Sequence, residues 1–272
     1  MSQNLPGEEV EVFYFGPPDQ SLFGIYHLPP PGLTRTSAIL LCPPLQQEYQ
    51  RCHRAYRQLA VRLAKAGFPV LRFDYYGTGD SSGDEAVMGL GQWLADVQAA
   101  ADELKKRSRR ERVVLIGLRL GAALAALTAA ARSDVVGLGL WEPTVNGTAY
   151  YDELAAWQQE KLWYFLSDVQ TPVQNGETLE LLGQPVSAAL IAEIQAVNLL
   201  ALATKPANQV LIVEGEANPT TAQLKTRLEG WQVAVQYQRV DDPPVWLDDP
   251  DKALVPNQVL QAIVSWASEV VA

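Results

Sequence analysis

Gly117-Leu118-Arg119-Leu120-Gly121 is the stretch of this sequence with the most chemical content. It follows the apolar run Val113-Val114-Leu115-Ile116 and opens an alanine-rich segment from Ala122 to Ala131. Two glycines at this spacing, between a strand and a helix, allow a turn so sharp that side chains at the flanking positions would clash. The central residue is then held under strain with its side chain presented to a substrate. A serine there would be a nucleophile. Arg119 has no nucleophilic atom and does not deprotonate in proteins, so what it offers is charge.

A cation at a helix N-terminus opposes the helix dipole, at a cost of about 0.3–1 kcal/mol when exposed and more when buried. Something anionic should offset Arg119. The candidate counter-ions are Glu214 and Glu216 after an apolar run, Glu142 at the end of another, and Glu48 in an earlier loop. If these neutralise Arg119 internally, the site is a structural plug. If a carboxylate or phosphate ligand does so, the protein binds an anion. A third arrangement turns Arg119 to solvent.

Other chemistry is sparse. Cys42 lies at a strand end, and a cysteine becomes a nucleophile when a neighbouring cation lowers its pKa. His53 flanks the same loop and offers a Cys42–His53 dyad. His53 nevertheless sits among Arg51, Arg54 and Arg57 near a helix start, where an exposed imidazole is the ordinary expectation. His27 reads as a strand-end residue without chemistry, and Asp74 and Asp80 as stabilisers of a turn. Cys42 and Cys52 read as reduced thiols. With two histidines in the chain, no metal site is expected, and no cofactor.

The elements that must position these groups alternate. Glu11–Phe15 and Leu22–Tyr26, split by the turn signal Gly16-Pro17-Pro18-Asp19, form an N-terminal antiparallel hairpin. Ser37–Leu41, Phe68–Phe73, Arg112–Ile116, Val135–Trp141, Val210–Val213 and Val233–Tyr237 are the further strands. Their near-continuous apolar character is that of strands buried on both faces. Helices are predicted over Tyr49–Ala66, Gly91–Lys106, Ala122–Ala131, Thr221–Leu228 and Asn257–Val270. Strands alternating with helices imply an α/β fold with a mostly parallel sheet covered on both faces. The alternation breaks over 145–207, a mostly helical stretch rich in large apolar residues (Trp157, Leu162, Trp163, Tyr164, Phe165). It reads as a cap inserted into a core made of 1–144 and 208–272. In open α/β sheets the carboxyl edge under such a cap is where ligands bind.

Composition narrows the partners. The chain of 272 residues carries 21 basic and 31 acidic side chains, a net charge of −10, which disfavours nonspecific nucleic-acid binding. No stretch of 18 or more apolar residues suggests a membrane span. The first residues, Met1 to Glu9, have neither a basic region nor an apolar core, so a cytoplasmic location is expected.

Two further motifs carry a family resemblance. Arg72-Phe73-Asp74-Tyr75-Tyr76-Gly77-Thr78-Gly79-Asp80-Ser81 is similar to the D-x-x-G-x-G-x-S loop of the α/β-hydrolase superfamily. Leu40-Leu41-Cys42-Pro43-Pro44 sits where that family carries its oxyanion-hole loop. Gly117–Ala122 and Trp141-Glu142-Pro143-Thr144-Val145-Asn146-Gly147 resemble the exosortase-associated branch, grouped with serine-aminopeptidase-like hydrolases. The resemblance implies the α/β-hydrolase fold and a Ser-acid-His triad in that order, the histidine following the last strand. It places the acid at Glu214 or Glu216. Both histidines, however, precede the Arg119 turn, and the loop from Asp241 to Pro250 has no imidazole.

Nucleophile and base are therefore both missing, and the expectation is a catalytically degenerate member that binds a small molecule, an anionic one among the options, or a protein partner. The pocket candidates are Arg119, Leu118, Cys42, Pro43, Glu48, Glu142 and Trp246. The alternative is an active hydrolase or acyl transferase with a different constellation, Cys42 with His53 or a carboxylate-activated water.

Overall fold

In the computed structural model, the residues described are 9–84, 89–165, 178–181, 184–247 and 255–271. The chain opens with β1 (Val10–Phe15), β2 (Leu22–His27), β3 (Ser37–Cys42), α1 (Gln46–Lys65), β4 (Val70–Phe73), α2 (Leu90–Ser108) and β5 (Arg112–Leu118). It continues through α3 (Leu120–Ala130), β6 (Val135–Trp141), α4 (Gly147–Phe165), β7 (Thr178–Leu181), β8 (Gln184–Ser187) and α5 (Ala188–Gln195). Four elements complete it: β9 (Gln209–Glu214), α6 (Pro219–Gly230), β10 (Ala234–Arg239) and α7 (Asn257–Val270).

Eight strands form one sheet in the order β1-β2-β4-β3-β5-β6-β9-β10. β2 pairs antiparallel with both β1 and β4, and every other pairing in this sheet is parallel. The expected N-terminal hairpin and mostly parallel sheet are thus present.

Side chains of a strand alternate between faces, and the central strands are apolar on both. Ile39, Leu41, Val114, Ile116, Leu211 and Val213 pack with Leu59 and Leu63 of α1 and Leu260 and Ile263 of α7. Leu40, Leu115, Leu138, Leu140, Val210 and Ile212 face the opposite layer with Val97 of α2, Leu124 of α3 and Leu224 of α6. Continuous apolar runs are what burial on both faces requires.

After β3 the chain adds β4 on one side and then β5 on the other, so the winding reverses at the carboxyl ends of β3 and β5. Such a switch point opens a crevice above the sheet. Residue 119 follows β5 directly.

The excursion between β6 and β9 is helical at both ends, as expected, but it also contains the antiparallel hairpin β7–β8, which the helical reading missed. Its strands are four residues each and pair only with one another, too short for a period-2 pattern to register. The excursion is anchored at its base by hydrogen bonds from Gly147 N to the Val197 carbonyl (2.8 Å) and from Leu199 N to that of Val145 (2.9 Å). Trp157 is partly buried against the core; the side chains of Leu162, Trp163, Tyr164 and Phe165 lie outside the described residues. Among the described residues no helix is long and apolar enough to cross a membrane.

Candidate functional site

The turn between β5 and α3 has the sharp geometry its glycines permit. Arg119 lies at φ 56°, ψ −120°, a region costly for a residue with a Cβ. An added Cβ on Gly117 would overlap the Gly121 carbonyl, and one on Gly121 would overlap the carbonyls of Cys42 and Pro43. Both glycines are therefore required to bring α3 down onto the ends of β3 and β5. The strained backbone is held by hydrogen bonds from Arg119 N to the Trp141 carbonyl (3.0 Å) and from Thr144 N to the Arg119 carbonyl (3.2 Å).

The Arg119 side chain is 10% exposed and ion-paired at both ends. Its Nε donates to Oε1 of Glu48 at 2.9 Å. Its Nη2 lies 2.7 Å from Oε2 of Glu153 on α4, an ionic approach without the alignment of a hydrogen bond. Glu48 is wholly buried in the first turn of α1, where the helix dipole favours a carboxylate. Its second oxygen accepts the Tyr150 hydroxyl at 2.7 Å. The guanidinium also lies over two rings, 5.1 Å from that of Tyr150 and 5.4 Å from that of Trp246.

Burial pushes Glu48 up, against the pull of the Arg119 guanidinium and the Tyr150 hydroxyl. Burial likewise works against the Arg119 charge, and Glu48, Tyr150 and Glu153 more than offset it, leaving the guanidinium above its ordinary value. Of the three arrangements open to Arg119, the fold adopts the internal ion pair.

Only part of the expected counter-ion set takes part. Glu48 does. Glu142 is near enough for its charge to respond to Arg119, but its Oε1 accepts Gly215 N at 2.6 Å. Glu214 is 2% exposed and accepts the Tyr237 hydroxyl (2.6 Å) and Asn218 N (3.1 Å), so it braces the β9 end instead of pairing with Arg119. Glu216 is exposed. The partners missed are Glu153 and Tyr150. With Leu154 they share one face of α4, and that spacing (i, i+3, i+4) is the signal from which they could be read.

A cavity of about 790 Å³ lies beside Arg119. Arg119, Glu142, Glu153, Glu216 and Trp246 line it, with Asp241 and Asp242 from the loop after β10. Glu142 has a positive φ of 45°, so two strained residues at neighbouring strand ends face the same space. Burial pushes the Glu142 carboxyl up to about 7, against the Gly215 amide and Arg119 and with the help of Glu214 and Glu153. A carboxyl in that range can hold or release a proton near neutrality.

Four candidates lie elsewhere. Leu118 is fully buried within the apolar layer of α1 and α7. Cys42 is also fully buried, and burial pushes its thiol up, the reverse of what a nucleophile needs. His53 is exposed on α1 with Nδ1 at the Gln50 carbonyl, so the fold does not build a Cys42–His53 dyad. Pro43 lines a smaller apolar pocket of about 120 Å³ with Tyr49, Tyr75 and Trp93. Pro43 and Pro44 have no amide N–H to donate to an oxyanion.

Asp74 does close its turn, Oδ2 accepting Asp80 N at 3.0 Å. His27 is buried and accepts from Arg72 Nε at 3.1 Å. Asp241 to Leu247 of the histidine-free loop are described, and Asp248 to Pro250 lie outside the described residues. Among the described residues no His, Cys, Asp and Glu cluster is arranged to hold a metal.

Known proteins carry the same architecture. The family model for serine aminopeptidase, S33, matches residues 47–184. A solved structure of Est1E from Butyrivibrio proteoclasticus with ferulic acid bound is 20% identical, covers 95% of this chain and 98% of its own, and superposes with a TM-score of 0.69. The Pyrococcus furiosus esterase Pf2001 is 15% identical, covers 100% and 96%, and gives 0.70. XC6422 of Xanthomonas campestris, described as an α/β serine hydrolase without lid, is 16% identical, covers 98% and 96%, and gives 0.60. At these identities the likeness establishes the fold. No curated protein matches the sequence.

Proposed function

The chain belongs to the serine aminopeptidase S33 family of α/β-hydrolases, and from that premise we propose that it is a member without catalysis that binds a small molecule beside Arg119. One observation carries the reading: the position that presents the nucleophile in this fold holds an arginine committed to Glu48 on one side and Glu153 on the other. A buried ion pair of this kind is costly to break, so Arg119 is not available to be replaced by a reacting group from elsewhere.

The remaining machinery supports it. The chain has two histidines, both before residue 54, and the loop after β10 brings Trp246 to Arg119 in place of an imidazole. What persists is a cavity of about 790 Å³ at the carboxyl edge of the sheet, within the range of about 300–1,000 Å³ that small-molecule sites occupy. We assign residues 145–207 as the cap and 1–144 with 208–272 as the core, the cap contributing Tyr150 and Glu153. Turnover tests the reading. The protein should hydrolyse no member of a panel of short acyl esters above the buffer rate, and hydrolysis proportional to its concentration would refute it.

A further inference from the structure

We propose that the apolar pocket at the carboxyl end of β3 is a second binding site, separate from the cavity beside Arg119, and that it takes a small uncharged aromatic ring. Its volume is about 120 Å³, and it shares no lining residue with that cavity. Residues of the buried ion pair alternate with residues of the pocket. Leu45 and Tyr49, one helical turn apart at the start of α1, line the pocket, while Glu48 between them turns to Arg119. Leu120 lines the pocket immediately after Arg119 lines the cavity. The pair is thus a partition that divides the crevice at the winding reversal into a charged compartment and an uncharged one.

The walls select the ligand. Tyr75, Trp93, Leu120 and Leu124 are buried, whereas Gln50 and Gly79 are exposed, so the pocket opens to solvent between α1 and the turn after β4. Among the described residues that line it, none is an acid, a lysine, an arginine or a histidine. Three polar side-chain groups of the wall are committed within the protein. The Tyr75 hydroxyl donates to the Pro43 carbonyl at 3.2 Å, the Thr78 hydroxyl to the Tyr75 carbonyl at 2.9 Å, and the Trp93 indole N–H to the Tyr76 carbonyl at 3.3 Å. A ligand therefore gains apolar contact, and a charged group would lose its hydration here without finding a counter-ion. The rings of Tyr75 and Trp93 lie 5.5 Å apart, tilted by 32°, and with Tyr49 they offer aromatic faces and edges against which another ring can pack. Size sets the limit, since an apolar cavity of about 150 Å³ holds a benzene. One ring fits.

Calorimetric titration of the full chain with benzyl alcohol, benzylamine and benzoate tests the assignment. Benzyl alcohol should bind saturably, and the two charged analogues should bind roughly tenfold more weakly or worse. Leu124→Phe and, independently, Leu45→Phe fill the pocket, and each should weaken benzyl alcohol binding by roughly tenfold or more. Glu216→Gln, in the Arg119 cavity, should leave it unchanged. No saturable binding of benzyl alcohol, charged analogues binding as tightly, binding indifferent to both filling variants, or binding lost in Glu216→Gln would overturn the assignment. None of these outcomes bears on the non-catalytic reading, which ester turnover tests separately.

Discussion

At the scale of single residues, Arg119 sets the terms. It is a charge taken out of water at the head of α3, where the dipole already opposes it. Glu48 can neutralise it only because Glu48 is itself enclosed, with a second hydrogen bond from Tyr150. Removing one partner strands the other. Arg119→Met is expected to lower unfolding stability by about 3–5 kcal/mol, measured by urea titration. Adding Glu48→Gln should recover most of that loss, and a neutral single variant would show that the pair is not holding the site.

Glu142 gives a pH signature. Its carboxyl titrates at about 7 in the fold against an ordinary 4.5, through burial and the nearby charges of Glu214 and Glu153, opposed by Gly215 N–H and Arg119; Glu216, Asp241 and Asp242 share its cavity. The folded state therefore holds this proton more tightly. Its stabilisation is complete below the unfolded value and is lost as pH rises through about 7. Glu142→Gln should gain melting temperature relative to the parent between roughly pH 5 and pH 8; a constant offset would contradict this. The sequence put Glu48 and Glu142 near Arg119 because they follow strands that the fold must place together. Glu153 lay beyond that logic, since its position depends on how α4 folds back.

At the scale of elements, the β5–α3 turn was legible because glycine has few reasons to sit where these two do. Gly121 lets the first turn of α3 touch the carbonyls of Cys42 and Pro43. Gly121→Ala is expected to cost about 3 kcal/mol or more, the overlap being with backbone that cannot rotate away; equilibrium unfolding reads it, and a loss under about 1 kcal/mol would mean the turn relaxes. The strands were legible for a similar reason, their burial on both faces writing unbroken apolar runs. The β7–β8 hairpin was not, because four-residue strands outside the main sheet carry no such run.

At the scale of the whole molecule, the order of strands creates the crevice and the side chains decide its use. The alternation of strands and helices implied a mostly parallel sheet with a cap over its carboxyl edge, but not the strand order, so the winding reversal at β3 and β5 emerges only in three dimensions. The charge character of the cavity emerges there too. It depends on Arg119 being paired internally and on Asp241 and Asp242 arriving from the loop after β10, which no linear charge count exposes. The proposed role, a hydrolase-family scaffold that binds without hydrolysing, is decided by turnover on a panel of short acyl esters. Rates equal to buffer are expected for the parent chain and for Glu142→Gln. Hydrolysis that scales with protein concentration would contradict that role, and its loss in Glu142→Gln would assign the reaction to a water activated by that carboxylate.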